Sequence, residues 1–170
     1  MRVLYQLLSL FISFLLLVLD GQAGLQARPS SLDWQIFEVP EFGTRVEYPA
    51  RILAPSAKSK RGVGERFESP DGRVILSIYI YATDNEAGDT PGSYLRKYLR
   101  QSRLGYERVT RSFFAISKEG GGLVYYSRCN FSRSAKAAIH CFDLVYPQEE
   151  KRAWDPVVTR ISLSLRPLER

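Results

Sequence analysis

Apolar and polar residues alternate along most of this chain, and in two places the spacing lengthens to that of a helix. The clearest alternation is "VILSIYIY", where Val74, Leu76, Ile78 and Ile80 share one face and Ile75, Ser77, Tyr79 and Tyr81 the other. A period of two predicts a strand, and one that is apolar on both faces near its middle predicts a central strand covered on two sides. "PDG" at 70–72 joins it to the run starting at Glu65, a hairpin signal. "WQIFEV" (34–39) and "TRVEYP" (44–49) read as extended, with "PEFG" as the turn between them. The stretch 50–64, "ARILAPSAKSKRGVG", loses periodicity and reads as a loop. Strands are expected again over 106–117, 122–131 and 138–147. The glycines of "KEGGG" precede a strand rather than a helix, so they predict a hairpin turn and not a phosphate cradle.

Helical spacing appears first at Tyr94, Leu95, Tyr98 and Leu99, with Thr90 as N-cap, Pro91 in the first position and Gly105 as the stop. It returns near the C-terminus in Val157, Val158, Ile161 and Leu165, with Asp155 as the expected N-cap, Pro156 first in the helix and Pro167 ending it. The order of strands, helix, strands, helix predicts an α+β domain. Its mainly antiparallel sheet of about six strands would carry a mid-chain helix and a C-terminal helix packed on it. One domain is expected over 33–168, after a flexible lead-in at 24–32.

The N-terminus does not fit that domain. Arg2 precedes an uncharged, mostly apolar run from Val3 to Leu19, and Gly21-Gln22-Ala23 offers the small residues of a signal-peptidase site. Residues 1–23 therefore read as a signal peptide, with Ala27 as a second cleavage choice. The alternative is an uncleaved anchor, since a spanning helix takes ~17–25 residues; Gln6, Ser9 and Ser13 weigh against it. No second apolar run of that length follows, so no membrane span is expected after cleavage, and the exported protein is expected to be periplasmic or secreted.

The chain carries a formal charge of +6. A basic exported protein meets anionic lipid, anionic polysaccharide or acidic proteins first. No basic face interleaved with stacking aromatics is visible, so nucleic acid is not an expected partner. Lys58, Lys60, Arg61 and Arg66 are the candidate contact for an anionic partner, against the plainer reading of a solvated loop.

"YYSRCNFSRSAKAAIHCFDLVYP" holds both cysteines and the single histidine. A loop over 132–137 centres on Ala135 and puts Cys129 and Cys141 six residues to either side. The same register sets Phe131 opposite Ile139 and Tyr125 opposite Val145. Opposed residues in a non-hydrogen-bonded pair come within ~4.5 Å between Cα atoms, in reach of a disulfide. An oxidising compartment and two cysteines with none left over favour that bridge. A zinc site would need both His140 and Cys141, which point to opposite faces of a strand. A thiol nucleophile would lack its base for the same reason, and no "GxSxG" elbow accompanies a serine. His140 is expected as a partly exposed strand residue. No catalytic residue, metal or cofactor is assigned, though a distant pair of carboxylates could still serve a hydrolase.

The segments "EFGTRVEYPA", "SPDGRVILSIYIYA", "YYSRCNFS", "IHC" and "WDPVVTRISLSLRP" resemble a family of small exported proteins of unassigned function from alphaproteobacteria such as rhizobia, over most of 34–167. The "YP" strands, the "DG" hairpin and the mid-chain and closing helices resemble the PsbP-like fold, which implies an accessory or binding protein rather than an enzyme. The expectation is a non-catalytic exported accessory or binding domain contacting an envelope protein or an anionic envelope component. Its rivals are a small envelope hydrolase using distant carboxylates and a small-molecule carrier with an apolar cavity against the sheet.

Overall fold

The computed structural model describes residues 32–82, 89–99, 104–132 and 138–167. The expected signal peptide and most of the lead-in lie outside the described residues. In chain order the elements are β1 (Trp34–Val39), β2 (Thr44–Pro49), β3 (Ala54–Lys58), β4 (Val63–Glu68), β5 (Ile75–Ala82) and α1 (Pro91–Leu99), followed by β6 (Tyr106–Val109), β7 (Phe113–Gly120), β8 (Leu123–Phe131), β9 (Ala138–Pro147), α2 (Lys151–Ser164) and the short β10 (Arg166–Pro167). Seven strands form one antiparallel sheet in the order β3-β4-β5-β9-β8-β7-β6, and β1-β2-β10 form a small second sheet. The class is α+β as expected.

The large sheet has seven strands, close to the expected six, and two of the strands are not visible in the sequence pattern, for two physical reasons. The stretch read as a loop contains β3, an edge strand whose five residues are all exposed, so no buried face imposes alternation on it. The run 106–117 is two strands, because Thr110 folds the chain back: its Oγ1 accepts from the Ser112 and Phe113 amides at 3.2 and 3.0 Å. The glycine turn is where it was expected, with Gly121 and Gly122 at φ +62° and +75°, the left-handed conformation a two-residue hairpin needs. Helix α2 starts at Lys151 rather than after Asp155, because a short 3-10 turn over Gln148–Glu150 runs straight into it. Pro156 thus sits inside the helix, where it forgoes one backbone hydrogen bond.

The β8–β9 register pairs Cys129 with Cys141, Phe131 with Ile139 and Tyr125 with Val145, as the loop centre predicts. One sheet face packs on α2 and the small sheet through Leu76, Ile78, Phe142, Leu144, Val46, Phe67, Ile161 and Leu165. The other face gathers Tyr79, Phe114, Ile116, Cys129, Ile139 and Cys141 around Leu95 of α1. The first cluster holds more of the buried side chains among the described residues, so it removes more apolar surface from water.

Candidate functional site

Alternation along four neighbouring strands aims Ser77, Tyr79 and Tyr81 of β5, Ile139, Cys141, Asp143 and Val145 of β9, Tyr125, Ser127 and Cys129 of β8, and Phe114, Ile116 and Lys118 of β7 to one side of the large sheet. Among the described residues, helix α1 covers one end of this face: Tyr94 packs against Phe114 and Phe131, with ring centroids 6.1 and 5.7 Å apart. The rest is an open groove of about 980 Å³, walled mainly by aromatic and aliphatic side chains.

The Cys129–Cys141 disulfide is formed, with Cα atoms 4.1 Å apart, and Cys129 lines the groove. Both residues are buried.

A polar cluster stands in the middle of the groove. Asp143 lies level with Ser77 on one neighbouring strand and Ser127 on the other. Its Oδ2 accepts from Arg61 Nη1 at 2.9 Å and from the Tyr79 hydroxyl at 3.1 Å. Arg61 also donates to the Tyr79 oxygen at 3.3 Å. Oδ1 of Asp143 is buried without a hydrogen-bond partner among the described residues. Burial raises the Asp143 carboxyl above the usual carboxylate range, against the lowering influence of Ser127, Arg61 and Tyr79. Burial, with Asp143 alongside, pushes the Tyr79 phenol far up, so it remains a donor. The hydrogen bond to Tyr79 and the Asp143 charge raise Arg61.

Arg61 reaches this cluster because the β3–β4 hairpin lies close upon β5. At Gly62, with φ +146°, a Cβ would come 2.5 Å from the Ile80 carbonyl oxygen, and at Gly64 it would collide with the Ile78 carbonyl. On the opposite wall the Lys118 ammonium sits 5.1 Å from the Tyr125 ring centre.

The four cations singled out in the sequence do not act alike. Arg61 enters the groove. Lys58 pairs with Glu65 at 2.6 Å and Arg66 pairs with Glu68, both along the hairpin. Lys60 is exposed and makes no ion pair among the described residues. Sequence reasoning missed Asp143, Tyr79 and Ser127 as the groove's polar centre. The available signal was Asp143 itself, the single acidic residue inside the apolar run "AIHCFDLVYP".

His140 is not partly exposed but fully buried, on the face opposite Cys141. Its Nδ1 shares a 2.7 Å hydrogen bond with Thr44 Oγ1 of β2, tying the two sheets together, while Nε2 has no partner among the described residues. Burial pushes its pKa down to about 4. Among the described residues, no cluster of three histidine, cysteine or acidic side chains could hold a metal ion, and no helix is long and apolar enough to cross a membrane.

The architecture is PsbP-like. The cyanobacterial PsbP protein CyanoP from Synechocystis superposes with a TM-score of 0.55 at 12% identity, covering 87% of this chain and 98% of that one. A protein from Bacteroides thetaiotaomicron gives a TM-score of 0.48 at 14% identity over 80% of this chain and 49% of that one. At such identities the likeness to CyanoP concerns the fold alone. No family model matches the chain, and no curated protein matches it. The resemblance to exported rhizobial proteins therefore rests on the quoted segments.

Proposed function

We propose that this protein is a non-catalytic binding domain, acting in the periplasm or outside the cell, that takes its ligand in the open groove of the large sheet. The observation that carries the reading is the groove itself. A concavity of about 980 Å³, apolar over most of its wall and polar at its centre, has the size and make-up of ligand sites. The aromatic walls suit an apolar or ring-shaped body. The Arg61–Asp143–Tyr79 cluster suits a polar group that exchanges hydrogen bonds with it. Export is supported by the apolar N-terminal run and by the disulfide, a bond that persists outside the reducing cytosol.

Hydrolysis by two carboxylates is the second reading, because Asp89 and Asp143 both line the groove. Asp143 is already engaged by Arg61 and Tyr79, which fits an orienting role better than an acid–base one.

The test is native mass spectrometry of the exported protein incubated with a whole-envelope extract, comparing wild type with Ser127→Trp, which fills the groove floor. A bound species on the wild type that is absent from the variant is the expected result. Equal binding by both would remove the groove as the site. An extract component chemically cleaved by wild type, but not by Asp143→Asn, would replace the binder with the hydrolase.

A further inference from the structure

On the other face of the sheet, at the margin of α2, two arginines stand without a counter-charge among the described residues. Arg108 of β6, Ala115 of β7 and Arg128 of β8 occupy one row across three strands, so only an alanine separates the two cations. Both guanidinium groups sit over the ring of Phe113, at 5.5 Å for Arg108 and 4.0 Å for Arg128. The shared ring keeps both guanidinium groups side by side, and the donors of Arg108 and the far nitrogen of Arg128 remain for a ligand.

Arg128 is held further. Its Nε donates to Asn130 Oδ1 at 3.0 Å and its Nη1 to Ser162 Oγ at 3.0 Å. Ser162 in turn meets the Tyr126 hydroxyl at 3.1 Å, and Asn130 Nδ2 donates to the Leu165 carbonyl at 2.7 Å. All of these partners are neutral. Neither arginine makes an ion pair among the described residues, whereas Arg45, Arg61, Arg66, Arg73 and Arg160 each have a carboxylate. Burial, with Arg108 nearby, lowers the pKa of Arg128, as expected for a cation whose opposite charge is missing. A partly buried, rigidly held guanidinium with only neutral partners costs free energy that a bound anion would return.

We propose that Arg108 and Arg128 form a binding site for a phosphate monoester group, separate from the groove. Two unneutralised charges match the ≈ −1.5 to −2 of such a group at neutral pH better than the single charge of a carboxylate. The guanidinium of Arg108 and the remaining N–H donors of Arg128 supply charge-assisted hydrogen bonds to its oxygens. Tyr106 and Tyr126, in the next row of the same strands, extend the site with hydroxyl and ring surfaces.

A phosphate monoester could reach the site on a soluble metabolite or on a lipid headgroup, so the experiment has two arms. Calorimetry with glycerol 3-phosphate tests the first, and flotation with phosphatidylcholine vesicles, with and without phosphatidic acid, tests the second. Arg108→Gln is the decisive variant because Arg108 is exposed and its loss should leave the melting temperature unchanged. Arg128→Lys keeps charge and loses the fork. Saturable binding in either arm, weakened roughly tenfold or more by Arg108→Gln and also weakened by Arg128→Lys, is expected. Binding in the vesicle arm alone would make the source a lipid. No binding in either arm, binding equal in wild type and Arg108→Gln, or displacement by acetate as readily as by inorganic phosphate would overturn the proposal.

Discussion

His140 and Asp143 stand three positions apart on β9 and face opposite sides of the sheet, yet burial acts on both. For the histidine it disfavours the cation, so its pKa falls from the usual 6.5 to about 4. A depressed histidine contributes stability that is complete above the unfolded pKa and is lost as pH falls from about 6.5 toward 4. The loss should amount to about 3 kcal/mol. Urea melts across this range should slope downward for wild type and stay nearly flat for His140→Gln, after allowing for that variant's lower starting stability. Asp143 shifts the other way, upward through burial, and Arg61 is one of the groups restraining it. Arg61→Ala should therefore raise the Asp143 pKa further. A carboxyl-carbon NMR titration in which the variant's midpoint lies below that of wild type would contradict the electrostatics described for the groove.

Among the elements, the β8–β9 hairpin is the one held covalently as well as by its strand pairing. Its disulfide joins two positions separated by twelve in the sequence. Replacing both cysteines with serine should cost about 3 kcal/mol, read as a lower denaturation midpoint that wild type matches only under reductant. The β3–β4 hairpin makes a different prediction. Gly64→Ala would press a Cβ into the Ile78 carbonyl and should cost about 1–3 kcal/mol, with the Arg61–Asp143 contact loosened. How far such elements were legible depended on whether burial imposed a pattern. The register of β8 and β9 was readable because Cys129 and Cys141 lie equally far from position 135 in the sequence, and β5 because two buried faces left an apolar run. Strand β3 was hidden because every residue in it is exposed. The start of α2 was hidden because Asp155-Pro156 imitates a helix beginning inside the helix. The groove's polar cluster was unreadable as a cluster, because Arg61, Tyr79 and Asp143 come from three separate strands or turns.

At the scale of the whole molecule, the two faces of the large sheet differ in how they are covered. Among the described residues, helix α2 and the small sheet cover much of one face, α1 covers one end of the other, and the groove lies beside it. Export with cleavage predicts a chain that begins near Gly24, and the bridge predicts a mass two hydrogens below the free-thiol form. An intact Met1 with alkylatable cysteines, found by mass spectrometry, would contradict both export and the bridge. The most direct measurement is amide NMR shift mapping on the exported protein as whole-envelope extract is titrated in. Shifts concentrated over 77–81, 114–118, 125–129 and 139–145 are predicted, with the same region silent in Ser127→Trp. Shifts confined to β1, β2 and β3, leaving those segments unmoved, would show that the open face of the sheet is not where this protein meets its ligand.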